Sequence, residues 1–250
     1  MNDSSFVRCD WRQRLAFVAL WLIASCGLVW GPGAISEATP PETPTEQDVI
    51  KDQPGKDRSS SPVGPPPTVE GFRKARFGMS EEQVRQALRK DFPALAAKPT
   101  STVHPSEKTT VLSLTVVDLL PHTGSAHISY IFGYHSKRLI QVNIVWSSDG
   151  SASGDETVVG TANSLRDYFT SENFESGNVV VNRQLSHNTI LVFRASDERK
   201  RTILLVLSGA AASAWSEDKK GPRPPPLTLE LWYIEDASHP DVFKIGQGQF

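Results

Sequence analysis

Between Thr39 and Glu70 the chain cannot pack, and this divides it into two parts with different physics. Nine of its eighteen prolines lie between Pro32 and Pro67, among Ser, Thr, Glu, Asp and Lys, and beyond Val49, Ile50 and Val63 almost nothing there is apolar. Such a segment buries too little surface to offset the entropy of ordering it. Its prolines bias it toward extended polyproline II, so a stretch of this length reaches on the order of 100 Å when fully drawn out. Residues 39–70 are therefore expected to form a disordered linker, either a spacer that holds a domain away from a membrane or a passive connection.

Ahead of the linker, Arg8, Arg12 and Arg14 precede an uncharged run from Leu15 to Ser36, whose core Leu15–Trp30 is rich in Leu, Ala, Val, Phe and Trp. A basic region followed by an apolar one is the pattern of a secretory signal. Residues 1–38 are thus expected to be a signal peptide or an N-terminal membrane anchor, with three fates open. Cleavage after Ala38 fits the small-x-small series Ser36-Glu37-Ala38. Lipid attachment at Cys26 fits Ile23-Ala24-Ser25-Cys26, which resembles the bacterial lipoprotein box. Retention as an anchor fits a run that approaches the ~20 residues a spanning helix needs. All three place the remainder outside the cytoplasm, in the periplasm or secreted, touching the membrane only through the N-terminal segment.

The part that can fold begins near residue 71. The two cysteines, Cys9 and Cys26, both precede it. It therefore has no disulfide, no thiolate metal site and no cysteine nucleophile. At about 180 residues it is long enough to bury its own core. From 71 to 250 there are 20 Lys and Arg against 19 Asp and Glu, interspersed and without a basic stripe, which argues against a nucleic-acid partner. The densest charge cluster, Asp197-Glu198-Arg199-Lys200-Arg201, falls between two apolar strands and is expected to be a solvated hairpin turn.

Local pattern gives the elements. Ser80 and Gln83 have the spacing of a capping box, with Met79 and Val84 placed to form a hydrophobic staple over it. Val84, Ala87, Leu88 and Phe92 share one helical face, and Pro93 ends the helix. Strands are expected at Thr109–Leu119, Ala126–Phe132 and Leu139–Trp146, each alternating so as to bury one face only. Such strands suit an antiparallel sheet with helices on one side. After the polar stretch Ser147–Gly154 the order repeats. Ser153 and Glu156 offer a second capping box. Val158, Ala162, Leu165 and Phe169 form a helical stripe running to about Gly177, and strands follow at Val179–Gln184, Thr189–Ala195, Thr202–Ser208 and Leu227–Ile234. The expected architecture is α+β, with two helix-plus-antiparallel-sheet modules in tandem, at residues 71–148 and 149–250.

Phe77-Gly78-Met79-Ser80 through Val84, with Ala87 and Leu88, resembles the helix start of bacterial BamE-type (SmpA/OmlA) lipoproteins. It is also similar to the matching element of the β-lactamase inhibitor protein, whose fold is a tandem helix-plus-sheet repeat. The resemblance implies a small exported module that binds other proteins through its sheet or loops without catalysis. The chain departs from both families: it lacks the inhibitor's disulfides and is about twice the length of a single BamE module.

Enzyme signatures are missing. The chain has no Gly-x-Ser-x-Gly elbow, no His-Glu-x-x-His, no phosphate-cradling glycine loop and no paired-cysteine metal site. No catalytic residue, metal or cofactor is assigned, and the protein is read as not an enzyme. His122, His127 and His135 have no ligand spacing and are expected to be satisfied or exposed surface histidines. Asp236, His239 and Asp241 sit in a turn marked by Pro240. Trp146 and Trp232 belong to strand patterns. Trp215, in the Ala210–Pro226 insertion with no strand to bury it, is the candidate binding residue. The function expected is non-enzymatic protein binding or envelope assembly, with another envelope protein as partner. The alternative is a small-ligand binder, or an unrecognised hydrolase, using the groove between the two halves. An apolar cleft holding convergent polar groups favours that alternative.

Overall fold

The computed structural model describes residues 66–94, 98–211, 225–246 and 248. The leader with Cys26, the linker as far as residue 65, and Trp215 lie outside the described residues, and elements are numbered within them.

The fold opens with a small hairpin, β1 (Gly71–Phe72) and β2 (Ala75–Arg76), turned by Arg73 and Lys74. Gly71 has a φ of 133°, and a Cβ there would collide with the Ala75 carbonyl, so glycine is required. Helix α1 (Glu81–Asp91) follows, capped as the sequence predicts. The Ser80 hydroxyl accepts the Gln83 N–H at 3.4 Å, and the Gln83 side chain accepts the Ser80 N–H at 2.9 Å. Val84, Ala87 and Leu88 are buried, as is Phe92 just beyond the helix. Gly78 donates to the Leu139 carbonyl at 2.9 Å and Leu139 donates back to Met79 at 2.8 Å, which ties the helix entry to the sheet.

Four strands come next: β3 (Thr100–Val103), β4 (Thr110–Val117), β5 (Ser125–Phe132) and β6 (Leu139–Ser147). Helix α2 (Ala152–Ser171) leads into β7 (Val179–Ser186), β8 (Thr189–Ser196), β9 (Thr202–Ser208) and β10 (Thr228–Ile234). The eight long strands form one continuous antiparallel sheet in the order β3-β4-β5-β6-β10-β9-β8-β7. Its centre is the pairing of β6 with β10, each the last strand to follow its helix. Both helices contribute to a single core on one face of this sheet, so the fold is α+β.

Three expectations are corrected. The cap of α2 is Ser151, not Ser153: its hydroxyl accepts the Gly154 N–H at 3.0 Å. Asp149 selects it, because Oδ1 accepts both the N–H and the O–H of Ser151, at 2.9 and 2.6 Å. The helix ends at Ser171, and a short 3-10 turn (Ser176–Asn178) fills the interval to β7. The buried stripe Val158, Ala162, Leu165 and Phe169 is as the spacing predicts.

The strands also do not bury one face only. Opposite the helix-bearing face, Val111, Ile131, Leu191, Leu204, Val206 and Trp232 are buried, and the polar Ser129 and Asn143 with them. The continuous apolar runs Ile190–Phe193 and Ile203–Leu207 carry this signal, since unbroken rather than alternating runs mark strands covered on both faces.

Candidate functional site

A groove of about 620 Å³ opens on the helix-bearing face, directly over the centre of the sheet. Ile144 and Trp146 of β6 and Leu231 and Tyr233 of β10 make its floor. One wall is α2, which presents Thr157, Gly160, Thr161 and Ser164, spaced three or four apart on one face. Their shortness keeps the space open: a Cβ added at Gly160 would meet nothing within 4 Å. Leu165, Tyr168 and Phe169 continue that wall. Across from it stand Phe72 and Arg73 of the β1–β2 hairpin, with residues 119–123 of the β4–β5 loop. The volume lies in the range of small-molecule pockets, ~300–1,000 Å³.

The polar groups here are few. Trp146 is 2 % exposed and its Nε1–H has no acceptor. The Tyr130 hydroxyl, fully buried beneath the same face, is likewise unpaired. Burial drives its ionisation above the usual range, the Asp91 charge adds to this, and Arg73 opposes it. Burial also raises Tyr233, with Tyr168 adding to it, and raises Tyr168, with Glu172 adding to it. These hydroxyls therefore remain protonated hydrogen-bond donors at neutral pH.

No Asp or Glu lines the groove, whereas Arg73 and His122 do. Both occupy turn positions with left-handed backbone, φ 52° and 61°. The Arg73 guanidinium lies 4.7 Å from the Phe92 ring centroid and 5.6 Å from that of Phe72. It donates at 3.4 Å to the carbonyls of Asp91 and Leu119, the second contact linking the hairpin to the loop that carries His122.

A second cavity, about 640 Å³, sets Arg199, Lys200 and Arg201 opposite Glu235, Asp236 and Asp241. Two of these carboxylates are already committed to turns. Asp236 accepts the N–H groups of Ser238 and His239 at 2.8 and 2.9 Å. Asp241 reaches across to the β5–β6 turn and accepts those of His135 and Ser136 at 2.9 and 2.8 Å. His239 Nδ1 lies 3.5 Å from Asp236 Oδ2, but the Asp241 carboxylate is turned to the β5–β6 turn, so the three do not converge as a triad. His122, His127 and His135 are separate as well: His122 is in the β4–β5 loop, His127 on β5 beside Thr115, and His135 in the β5–β6 turn. Among the described residues no group of three or more His, Cys, Asp or Glu is placed to hold a metal. No described helix is long and apolar enough to cross a membrane.

The charge cluster after β8 is a turn, but its first member is not solvated. Asp197 is buried and accepts the N–H groups of Val69, Arg199 and Arg201. Trp146 and Trp232 are both buried in their strands. The residues that shape the groove, Gly160 and its small neighbours, are not marked as a site in the sequence, because Gly, Ser and Thr on a helix have the composition of its solvent side. The signal was their position beside the apolar stripe.

The chain matches no protein-family model, no curated protein and no solved structure.

Proposed function

We propose that this chain is a non-enzymatic binding protein of the cell envelope, whose ligand site is the groove over β6 and β10. Residues 1–38 deliver it across the membrane or anchor it there, and the linker from residue 39 tethers it up to the point where Val69 enters the core. One observation carries the reading: an open, largely apolar groove whose two basic side chains, Arg73 and His122, stand in turns beside it, the form expected of a pre-formed ligand pocket. The repeat of one helix followed by four strands supports the tandem arrangement of modules 71–148 and 149–250. It is also in keeping with the resemblance to BamE-type lipoproteins and the β-lactamase inhibitor protein. On this arrangement each module supplies one strand of the groove floor.

A second reading, binding of an envelope protein through a sheet edge, draws on β7. Among the described residues this eight-residue edge strand pairs only with β8, and Val181 and Leu185 are exposed. An edge of this kind offers free backbone groups to an added strand.

The two readings separate in one experiment. The full chain is titrated with an environment-sensitive apolar dye and compared with Gly160→Trp, which fills the groove, and with the double substitution Val181→Lys, Leu185→Lys. Dye binding lost only in Gly160→Trp supports the groove. Equal binding by all three proteins removes it as the site.

A further inference from the structure

We infer that the groove takes an amphiphile, an apolar body with an anionic head, and that the head sits at the end formed by Arg73 and His122. This rests on the groove reading and adds the chemistry of the ligand. The floor and most of the walls are hydrocarbon or aromatic, so an apolar body is what they desolvate favourably. The charge complement is one-sided, with two basic side chains and no carboxylate among the lining residues.

Arg73 is available for this task. It makes no salt bridge among the described residues, and its two side-chain hydrogen bonds are both long, 3.4 Å, and to neutral carbonyls. The nearby Asp91 carboxylate is engaged elsewhere: it accepts the Lys74 N–H at 2.9 Å and lies 3.9 Å from the Lys74 ammonium. A guanidinium against two aromatic rings and without a counter-ion gains most from a carboxylate or phosphate, which it binds with two parallel N–H bonds.

The unpaired donor in the floor lies toward the β4–β5 loop. Trp146 pairs with Ala126, and Ala126 pairs with Val116, next to the point where β4 gives way to the loop that carries His122. A buried N–H without an acceptor costs free energy, and head-group oxygens entering from that end supply one. Leu231, Leu165 and Phe169 then line the path of the tail.

Equilibrium dialysis of the full chain against radiolabelled decanoate, decanol and decyl phosphate tests this, with Gly160→Trp setting the background. Arg73→Asn removes the cation while keeping a residue type that tolerates the left-handed backbone, and His122→Asn is a second variant of the same kind. Decanoate or decyl phosphate is expected to bind above background and at least about tenfold more tightly than decanol, with Arg73→Asn removing most of that preference. Whichever anion binds better identifies the head as carboxylate or phosphate. Decanol binding as tightly as both anions, or Arg73→Asn and His122→Asn both leaving anion binding unchanged, overturns the anionic head and leaves the groove standing. No probe bound above the Gly160→Trp background overturns the groove itself.

Discussion

The carboxylate of Asp197 accepts the backbone N–H of Val69 at 3.0 Å, joining positions 128 residues apart. Its other oxygen accepts the N–H groups of Arg199 and Arg201, each at 2.9 Å. A single side chain therefore shapes the β8–β9 turn and fastens the segment by which the chain enters the fold. Val69 is itself part of the core. Asp197→Ala leaves a buried donor unpaired and loosens both segments, at an expected cost of about 2–3 kcal/mol in urea unfolding. A loss of under about 0.5 kcal/mol, the range of ordinary surface substitutions, contradicts this role.

Asp241 plays a similar part for the C-terminal segment, and its effect depends on pH. Burial works to raise its carboxyl, but the N–H donors of His135 and Ser136 outweigh it and hold the group below the usual carboxylate range. A carboxyl lowered in the folded state contributes stability that is fully present above its unfolded value and is lost as pH falls through its folded value. Protection of the Tyr134 amide, which donates to the Asp241 carbonyl, should thus decline on acidification below the ordinary carboxylate range. In Asp241→Asn the protection should already be reduced by about tenfold at neutral pH and should change less with acid. Amide exchange by mass spectrometry, corrected for intrinsic rates, reads both effects.

The wall of the groove makes a stability prediction of opposite sign. Gly160 sits inside α2, where glycine costs roughly 1 kcal/mol relative to alanine, and an added Cβ there meets open space. Gly160→Ala should therefore raise thermal stability by an amount of that order. A lower melting temperature would mean that the wall is closed where the geometry leaves it open.

Beneath the same face, the Tyr130 hydroxyl is buried without a partner. Removing it loses no hydrogen bond, so Tyr130→Phe should be neutral or stabilise by up to about 1 kcal/mol. Destabilisation beyond that in chemical unfolding would assign the hydroxyl a bond that the structure lacks.

Much of this architecture was legible because the residues that build it act locally. Ser80 and Gln83 close their box within one turn of helix. Thr202–Ser208 matches its predicted bounds to the residue, since Asp197–Arg201 and Gly209 mark its ends. Strand β3 was not foreseen: Thr100–Val103 is exposed throughout and carries no burial pattern to read. The second cap was misplaced by two residues because Asp149, outside the helix, decides between Ser151 and Ser153. The groove was the least legible feature. An expectation of a cleft between the halves follows from the repeat, but its floor depends on β6 lying next to β10, and its basic end on Arg73 reaching the Leu119 carbonyl. Neither juxtaposition leaves a trace in local spacing.

The pairing at the centre of the sheet also sets the order in which the molecule can be finished. Strand β6 ends at Ser147, yet the neighbour that covers its open side begins only at Thr228. A nascent chain emerges N-terminus first, so the first half must wait with a bare edge until Thr228–Ile234 arrive, and β9 waits beside it. A chain cut short before Thr228 would hold two unjoined half-sheets and lack Leu231 and Tyr233. The floor on which a ligand would rest is complete only after every other described strand has been made.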